Sequence, residues 1–148
     1  MKHSKTVISI AALFAALNAG AAKPANGNAA SCSALTGRTI APNTVIQSAE
    51  FLPDGGAVGS AKISVPFCRV IGVATPTADS HIGFEVWLPP LSQWNGKFRG
   101  EGSGGSAGAI SPGPMRDALG SGYATMSTDN GHLTDPADPL GGSGQRWA

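Results

Sequence analysis

The sequence has little charge of either sign and little cysteine. Charged side chains make up 13% of the 148 residues, against a usual share of about 25%, and the formal net charge is +1. The chain therefore has no basic field to hold a phosphate backbone, which argues against nucleic acid as a partner. Its two cysteines form no C-x-x-C pair, and no histidine or third cysteine lies at metal-ligand spacing, so no metal site is expected.

Glycine and proline are abundant instead. The chain has 21 glycines and 11 prolines, and together they far exceed their usual sum of about 12% of residues. This composition predicts many turns and few long helices. Hydrophobic residues reach 41%, which is too many for a disordered chain, and the length allows one domain of ordinary size.

The N-terminal segment is typical of a secretory signal peptide. Basic residues precede an uncharged run over residues 7–17, and the small residues Ala19–Ala22 offer a cleavage site. The run stops at Asn18, short of the roughly 20 apolar residues that a membrane span needs. We therefore predict a signal peptide over residues 1–22 and a flexible leader over residues 23–31. The mature protein is expected to be secreted or periplasmic, with no membrane contact after cleavage.

Export gives the two cysteines a structural use. An oxidising compartment favours a disulfide between Cys32 and Cys68 over two buried free thiols. Closing a loop of this size stabilises the fold by roughly 3–4 kcal/mol in the chain-entropy model. The bridge would tie the mature N-terminus to a neighbouring strand.

The first half of the chain predicts antiparallel strands. Thr44–Leu52 and Ile63–Val73 are rich in Val, Ile and Phe and are separated by a Pro-Asp-Gly-Gly turn signal. His81–Leu88 alternates most clearly, and residues 75–79 before it suit a hairpin loop. Four apolar residues of this strand share one face: Ile82, Phe84, Val86 and Leu88. We expect this aliphatic face to supply a substantial share of the core.

The second half predicts a parallel unit. Lys97–Gly100 suits a short strand, and Gly102–Gly108 is a glycine-rich loop. Pro114–Leu119, with Pro at its start and Gly after its end, predicts a short helix, and Tyr123–Ser127 predicts another strand. Strand, loop, helix and strand in this order form the βαβ pattern of a parallel sheet. The fold class is therefore α/β, with an antiparallel start.

The glycine-rich loop matches two motifs at once. Residues 100–108 read GEGSGGSAG, which satisfies the dinucleotide pattern G-x-G-x-x-G and, with Ser106 at its centre, the nucleophile pattern G-x-S-x-G. Both patterns need a helix that begins directly after the loop, whereas Pro112 and Pro114 delay it. Both interpretations are therefore disfavoured.

A third interpretation fits the order of the elements better. In an α/β-hydrolase, one backbone donor of the oxyanion hole comes from a loop that follows a strand and precedes the nucleophile. Glycine lets the backbone approach a substrate without a Cβ in the way. A surface loop with no partner is the alternative, and the residues alone leave both open.

Several motifs in a fixed order resemble the N-terminal part of the tannase and feruloyl esterase family. They are FCRVIGV (67–73), DSHIGFEVWLP (79–89), WNGKF (94–98), GSGGSAG (102–108), GYA (122–124) and TDNGH (128–132). The resemblance implies a secreted α/β-hydrolase with a Ser/Asp/His triad, acting on phenolic esters such as feruloyl or galloyl esters. It also implies a lid domain that carries calcium, outside this chain, so no cofactor is expected here.

The resemblance places no catalytic residue in this chain. The family's nucleophile lies in a G-C-S-x-G motif, whereas the one Cys-Ser pair here, Cys32-Ser33, precedes the expected sheet. What carries over is the oxyanion loop, with Gly104 and Gly105 as the candidate donors. Ser103 and Ser106 depart from the family, which more often has Asn or Gly at the first position and a bulky apolar residue at the second.

Other polar and aromatic residues are given structural roles. Asp129 and His132 invite a triad with Ser106, but we interpret them as a turn after the strand. His81 is expected at the surface or half-buried, and Trp87 and Trp94 are expected to pack rather than to bind a sugar ring.

Residues 32–148 are thus interpreted as the N-terminal fragment of an α/β-hydrolase domain, with an incomplete sheet. The fragment is expected to be inactive alone, and the substrate of the full enzyme is expected to be a small phenolic ester. The oligomeric state stays open. The alternative is a non-enzymatic exported β-rich binding module. A module predicts a monomer that unfolds cooperatively. The fragment predicts an exposed sheet edge after the Tyr123 strand and poor cooperativity.

Overall fold

The computed structural model describes residues 29–102, 108–133 and 146–147. The elements in chain order are α1 (Ala29–Ser33), β1 (Thr39–Ala41), β2 (Thr44–Leu52), β3 (Gly56–Val58), β4 (Ala61–Ile63), β5 (Phe67–Ala74), β6 (Ile82–Leu88), β7 (Phe98–Glu101), α2 (Pro112–Gly120), β8 (Ala124–Thr128), β9 (His132–Leu133) and β10 (Arg146–Trp147). The predicted signal peptide lies outside the described residues. So does most of the predicted leader, of which the last residues belong to α1.

The strands form a six-stranded mixed sheet in the order β1-β2-β5-β6-β8-β7. The neighbouring strands β1, β2, β5, β6 and β8 pair in antiparallel fashion. β7 and β8 pair in parallel, and the crossover helix α2 connects them in the chain. This confirms the predicted α/β class, an antiparallel start followed by strand, loop, helix and strand. Two further pairs, β3 with β4 and β9 with β10, form small antiparallel ribbons beside the sheet.

Two predicted elements differ from the structure. The strand predicted over Ile63–Val73 is two strands, β4 and β5, because Pro66 has no N–H to donate to a ladder and interrupts the run. In the chain, a β3–β4 hairpin therefore lies between β2 and β5, which pair with each other in the sheet. Helix α2 begins at Pro112, so Pro112 and Pro114 do not delay the helix but lie in its first turn, where a missing N–H costs nothing.

The sheet is covered on two faces by two apolar clusters. Under α2 and the β3–β4 hairpin lie Val58, Ala61, Ile63, Phe67, Trp87, Met115 and Leu119. Under α1, on the opposite face, lie Cys32, Ile46, Ala49, Cys68 and Val70. The Cys32–Cys68 disulfide is confirmed, with a Cα–Cα distance of 5.7 Å, and joins α1 to β5.

The expected distribution of burial along β6 is wrong. Trp87 is fully buried and Glu85 is buried, whereas the alternate residues of the aliphatic face are only partly so. The reason is that α2 and the hairpin cover the Trp87 face, whereas α1 packs on β2 and β5 and leaves much of β6 uncovered on the other side.

The expected sheet edge is also displaced. β8, the strand after Tyr123, is internal, because the α2 crossover returns it between β6 and β7. The edge strand on this side of the sheet is therefore β7, and β1 is the edge strand on the other side. Among the described residues, no helix is long and apolar enough to cross a membrane.

Candidate functional site

The carboxyl ends of β7 and β8 lie at the same edge of the sheet, because the two strands are parallel. β7 ends at Glu101, whose register partner on β8 is Ser127. The glycine-rich loop leaves this edge at Gly102, and the Thr128–His132 motif leaves it beside the loop. The crevice outside the carboxyl ends of the strands is where open α/β sheets bind ligands.

The turn after β8 is held by one carboxylate. Oδ1 of Asp129 accepts hydrogen bonds from the backbone N–H of Gly83 at 2.9 Å and of Gly131 at 2.8 Å. Asn130 and Gly131 both adopt left-handed backbone, with φ of 59° and 78°. The N–H of His132 then donates to the carbonyl of Asp129 at 3.2 Å. This confirms the predicted turn and gives Asp129 a structural task.

The far end of the glycine-rich loop lies against this turn. Gly108 is buried, and a Cβ on it would overlap the carbonyl oxygen of His132 and approach the Cδ2 of its ring to 2.6 Å. The imidazole of His132 is itself buried. Only glycine fits at this close approach, so the end of the loop at Gly108 lies in direct contact with the turn.

A polar cluster lies beneath this edge on the α2 face. Glu85 accepts from Nε and Nη2 of Arg69 at 2.9 and 2.6 Å, and from the indole Nε1 of Trp87 at 2.9 Å. The hydrogen bond to Glu85 raises the pKa of Arg69 above its ordinary value, so the guanidinium stays charged. Oγ of Ser127 accepts from the backbone N–H of Ser111 at 3.1 Å, which links β8 to the start of α2.

Sequence reasoning did not identify this cluster. Arg69 and Glu85 lie on neighbouring strands, and only the β5–β6 register, in which Arg69 is opposite Trp87 and Ile71 is opposite Glu85, brings the two charges onto one face. The signal available in the sequence was one glutamate among the apolar residues of β6.

The predicted site residues are placed as follows. Gly104 and Gly105, with Ser103 and Ser106, lie outside the described residues, so their role stays a prediction. His81 is exposed, in line with the surface position expected for it. Among the described residues, no group of three or more His, Cys, Asp and Glu side chains could hold a metal ion.

The two tryptophans that were expected to pack, Trp87 and Trp94, differ in exposure. Trp87 packs on Phe67, with ring centroids 5.1 Å apart, as expected. Trp94 is 43% exposed, and its Nε1 donates to the carbonyl of Lys97 at 2.8 Å. It lines an apolar groove of about 270 Å³ on the α1 face, together with Ser31, Cys32, Leu35, Phe51, Cys68, Leu88, Pro89, Leu91 and Ala124.

Comparison with known proteins gives a consistent pattern. Residues 68–147 match the family model described as tannase and feruloyl esterase. An uncharacterized esterase of Xanthomonas campestris pv. campestris is 37% identical over 138 residues, which is 90% of this chain and 22% of that protein. A protein of Aspergillus clavatus named probable feruloyl esterase B is 31% identical over 121 residues, which is 74% of this chain and 22% of that protein.

Two solved structures resemble the fold. The crystal structure of feruloyl esterase B from Aspergillus oryzae superposes with a TM-score of 0.61 at 31% identity, over 71% of this chain and 22% of that one. An esterase from Aspergillus oryzae gives a TM-score of 0.62 at 25% identity, over 71% of this chain and 23% of that one. The chain thus spans about a fifth of the length of these relatives.

Proposed function

Because this chain belongs to the tannase and feruloyl esterase family, we propose that it forms the N-terminal sheet of a secreted serine ester hydrolase. The observation that carries the proposal is the family match over residues 68–147, which spans both the parallel strands and the glycine-rich loop. The structural likeness to feruloyl esterase B supports it independently, since it extends over most of the described chain.

Within that enzyme the chain contributes the oxyanion loop. The backbone N–H groups of Gly104 and Gly105 donate to the oxygen on which negative charge develops when the ester carbonyl is attacked. The position of the loop's ends supports this role. Gly102 follows β7, and Gly108 is fixed against His132, so the loop begins and ends at the carboxyl edge of the parallel strands.

The nucleophilic serine and its histidine and aspartate come from outside this sequence. Serine attacks the ester carbonyl, histidine takes the serine proton and passes it to the leaving alcohol, and water then hydrolyses the acyl-enzyme. Preorganised N–H groups lower this barrier only when a nucleophile is present, so the chain alone is inactive. The calcium that the family resemblance implies belongs to the lid domain, outside this chain.

The substrate class is phenolic esters, feruloyl or galloyl, taken up as small molecules. The names of the fungal relatives support an ester of this kind. The Cys32–Cys68 disulfide supports a secreted or periplasmic location, because such bridges persist in oxidising compartments. The signal peptide over residues 1–22 belongs to the same proposal.

The test is a chimera, in which this chain replaces the matching segment of the Xanthomonas campestris esterase. The chimera is expected to hydrolyse methyl ferulate or methyl gallate, whereas the full chain alone is expected to hydrolyse neither. A chimera that folds but is inactive, beside an active parent esterase, contradicts the proposal. Hydrolysis by the chain alone that Ser106→Ala abolishes contradicts the assignment of the nucleophile.

A further inference from the structure

We propose that Asn95 is a site of spontaneous deamidation in the folded chain, and that this modification loosens the connection between α2 and β8. Asn95 precedes Gly96 in the turn before β7. The product is aspartate or isoaspartate at position 95, and ammonia is released. The inference concerns a covalent change of the polypeptide and does not depend on the ester chemistry.

Asn-Gly pairs are the sequence at which this reaction is easiest. The backbone nitrogen after the asparagine attacks its side-chain amide, and glycine has no Cβ to hinder that approach. The chain has three such pairs, and the structure describes two of them, Asn95-Gly96 and Asn130-Gly131. Both glycines have left-handed backbone, with φ of 79° and 78°. The sequence alone therefore does not distinguish one pair from the other.

The side chain of Asn95 is folded back along the peptide that would attack it. Its Oδ1 accepts a hydrogen bond at 2.9 Å from the backbone N–H of Lys97, two residues on, so the side-chain amide lies beside the Gly96 peptide. The same N–H stabilises the negative charge that develops on Oδ1 when a nucleophile adds to Cγ. Asn95 and Gly96 are exposed, so water and hydroxide reach the site.

Asn130 differs because the attacking nitrogen is held. The backbone N–H of Gly131 donates to Oδ1 of Asp129 at 2.8 Å, and Gly131 is buried. This nitrogen must lose its proton before it attacks, and a negatively charged acceptor opposes that loss. Among the described residues, no such acceptor binds the N–H of Gly96. The structure therefore separates two pairs that the sequence makes alike.

The reaction needs only water and hydroxide. The nitrogen of Gly96 gives its proton to hydroxide and forms a bond to Cγ of Asn95, which the folded-back side chain holds close to it. The Cγ–Nδ2 bond breaks, and Nδ2 takes a proton from water and leaves as ammonia. Water then breaks one of the two bonds between the nitrogen of the resulting five-membered ring and a carbonyl carbon. One opening gives aspartate and the other gives isoaspartate, with no oxidation or reduction.

The modification removes a hydrogen bond that joins two segments. Nδ2 of Asn95 donates to the carbonyl of Ser121 at 2.9 Å, directly after α2, and the backbone N–H of Asn95 donates to the carbonyl of Gly122 at 2.9 Å. A carboxylate at position 95 has no proton to donate to Ser121. Carbonyls at the C-terminal end of a helix carry partial negative charge, so the contact becomes repulsive. The turn before β7 is then held less tightly to the α2–β8 connection.

The first experiment measures where the folded full chain is modified. The chain is kept in mildly alkaline buffer until a urea-unfolded sample has converted both asparagines, and mass spectrometry of its peptides locates the products. In the folded chain, Asn95 is expected to convert at least about tenfold faster than Asn130, because a hydrogen bond to a charged acceptor must break first at Gly131. Gly96→Ala is expected to slow conversion of Asn95. Asp129→Ala, which removes the acceptor, is expected to speed conversion of Asn130 and leave Asn95 unchanged.

The second experiment measures the consequence in melting curves of the full chain. Asn95→Asp is expected to lower the melting temperature by several degrees. Asn43→Asp is the matched control and is expected to leave the melting temperature unchanged. Asn43 is exposed, and its left-handed backbone suits aspartate as well as asparagine.

Four results would overturn the inference. Equal conversion of Asn95 and Asn130 in the folded chain is one, and an Asn95 that stays intact while the unfolded sample converts is another. Unchanged protection of Asn130 in a folded Asp129→Ala variant contradicts the explanation of the difference. Equal melting temperatures of Asn95→Asp and Asn43→Asp contradict the loosened connection.

Discussion

The main chain of Gly108 lies so close to His132 that no side chain fits at position 108. Gly108 ends the glycine-rich loop, and His132 ends the turn after β8. The end of the glycine-rich loop and the turn after β8 are therefore in direct contact at the carboxyl edge of the sheet. This contact fixes the end of the glycine-rich loop, at Gly108, against the turn.

Gly108→Ala tests this unit. The new methyl group would overlap the His132 carbonyl, and the clash is expected to destabilise the chain by about 1–3 kcal/mol, the usual range for overpacking. Urea denaturation measures the change. Gly102→Ala is the matched control, because a Cβ there would meet nothing within 4 Å. Equal stability of the two variants would show that the contact is absent in solution.

Asp129 holds the turn through two backbone N–H groups. Asp129→Ala leaves the amides of Gly83 and Gly131 without their acceptor, and the expected loss is about 2–3 kcal/mol in the free energy of unfolding. Asp129→Asn keeps an oxygen at this position and is expected to lose clearly less. If the two variants are equally destabilised, the negative charge and not the geometry of acceptance stabilises the turn.

Glu85 is the acceptor at the centre of the polar cluster under α2. Glu85→Ala removes three hydrogen bonds, leaves Trp87 Nε1 buried without a partner, and leaves Arg69, whose side chain is partly exposed, without its carboxylate. We expect a loss of about 2–4 kcal/mol. Asp117→Ala, which breaks the exposed pair with Arg116, is the control and is expected to cost less than about 0.5 kcal/mol. Comparable losses would mean that burial adds nothing to the Glu85 contacts.

The disulfide fastens α1 to the sheet. Its two cysteines are 36 residues apart, and removing a bridge of this loop length costs about 3–4 kcal/mol in the chain-entropy model. Cys68→Ser is therefore expected to lower the melting temperature strongly, and reduction of the unmodified chain should have the same effect. A melting curve unchanged by dithiothreitol would contradict the stabilising role of the bridge.

Local signals in the sequence were enough for several elements. Thr44–Leu52, rich in Val, Ile and Phe and followed by a turn signal, is a strand with those bounds, and the helix with Pro at its start precedes a parallel strand as expected. The two cysteines pair as the inferred compartment required. For the strand and the helix, composition and turn chemistry act within the segment itself. For the disulfide, the two cysteines of the chain left one possible pairing.

Other features depend on contacts between distant segments, and the sequence did not show them. The position of β8 inside the sheet follows from the crossover of α2, and it moves the open edge to β7. The burial of Glu85 and Trp87, rather than of the aliphatic face of β6, follows from where α2 and the β3–β4 hairpin pack. The fit of Gly108 against His132 is likewise a tertiary contact that the glycine count alone could not locate.

The most direct measurement of the central claim is the kcat of the chimera on methyl ferulate with and without the backbone donor of residue 105. Gly105→Pro removes one N–H from the oxyanion loop, and kcat is expected to fall by roughly 100- to 1000-fold while KM changes little. Gly102→Ala, assayed beside it, is expected to keep the parent rate, and melting curves check that both variants are folded. A folded Gly105→Pro chimera with unchanged kcat would contradict the assignment of this loop to the oxyanion hole.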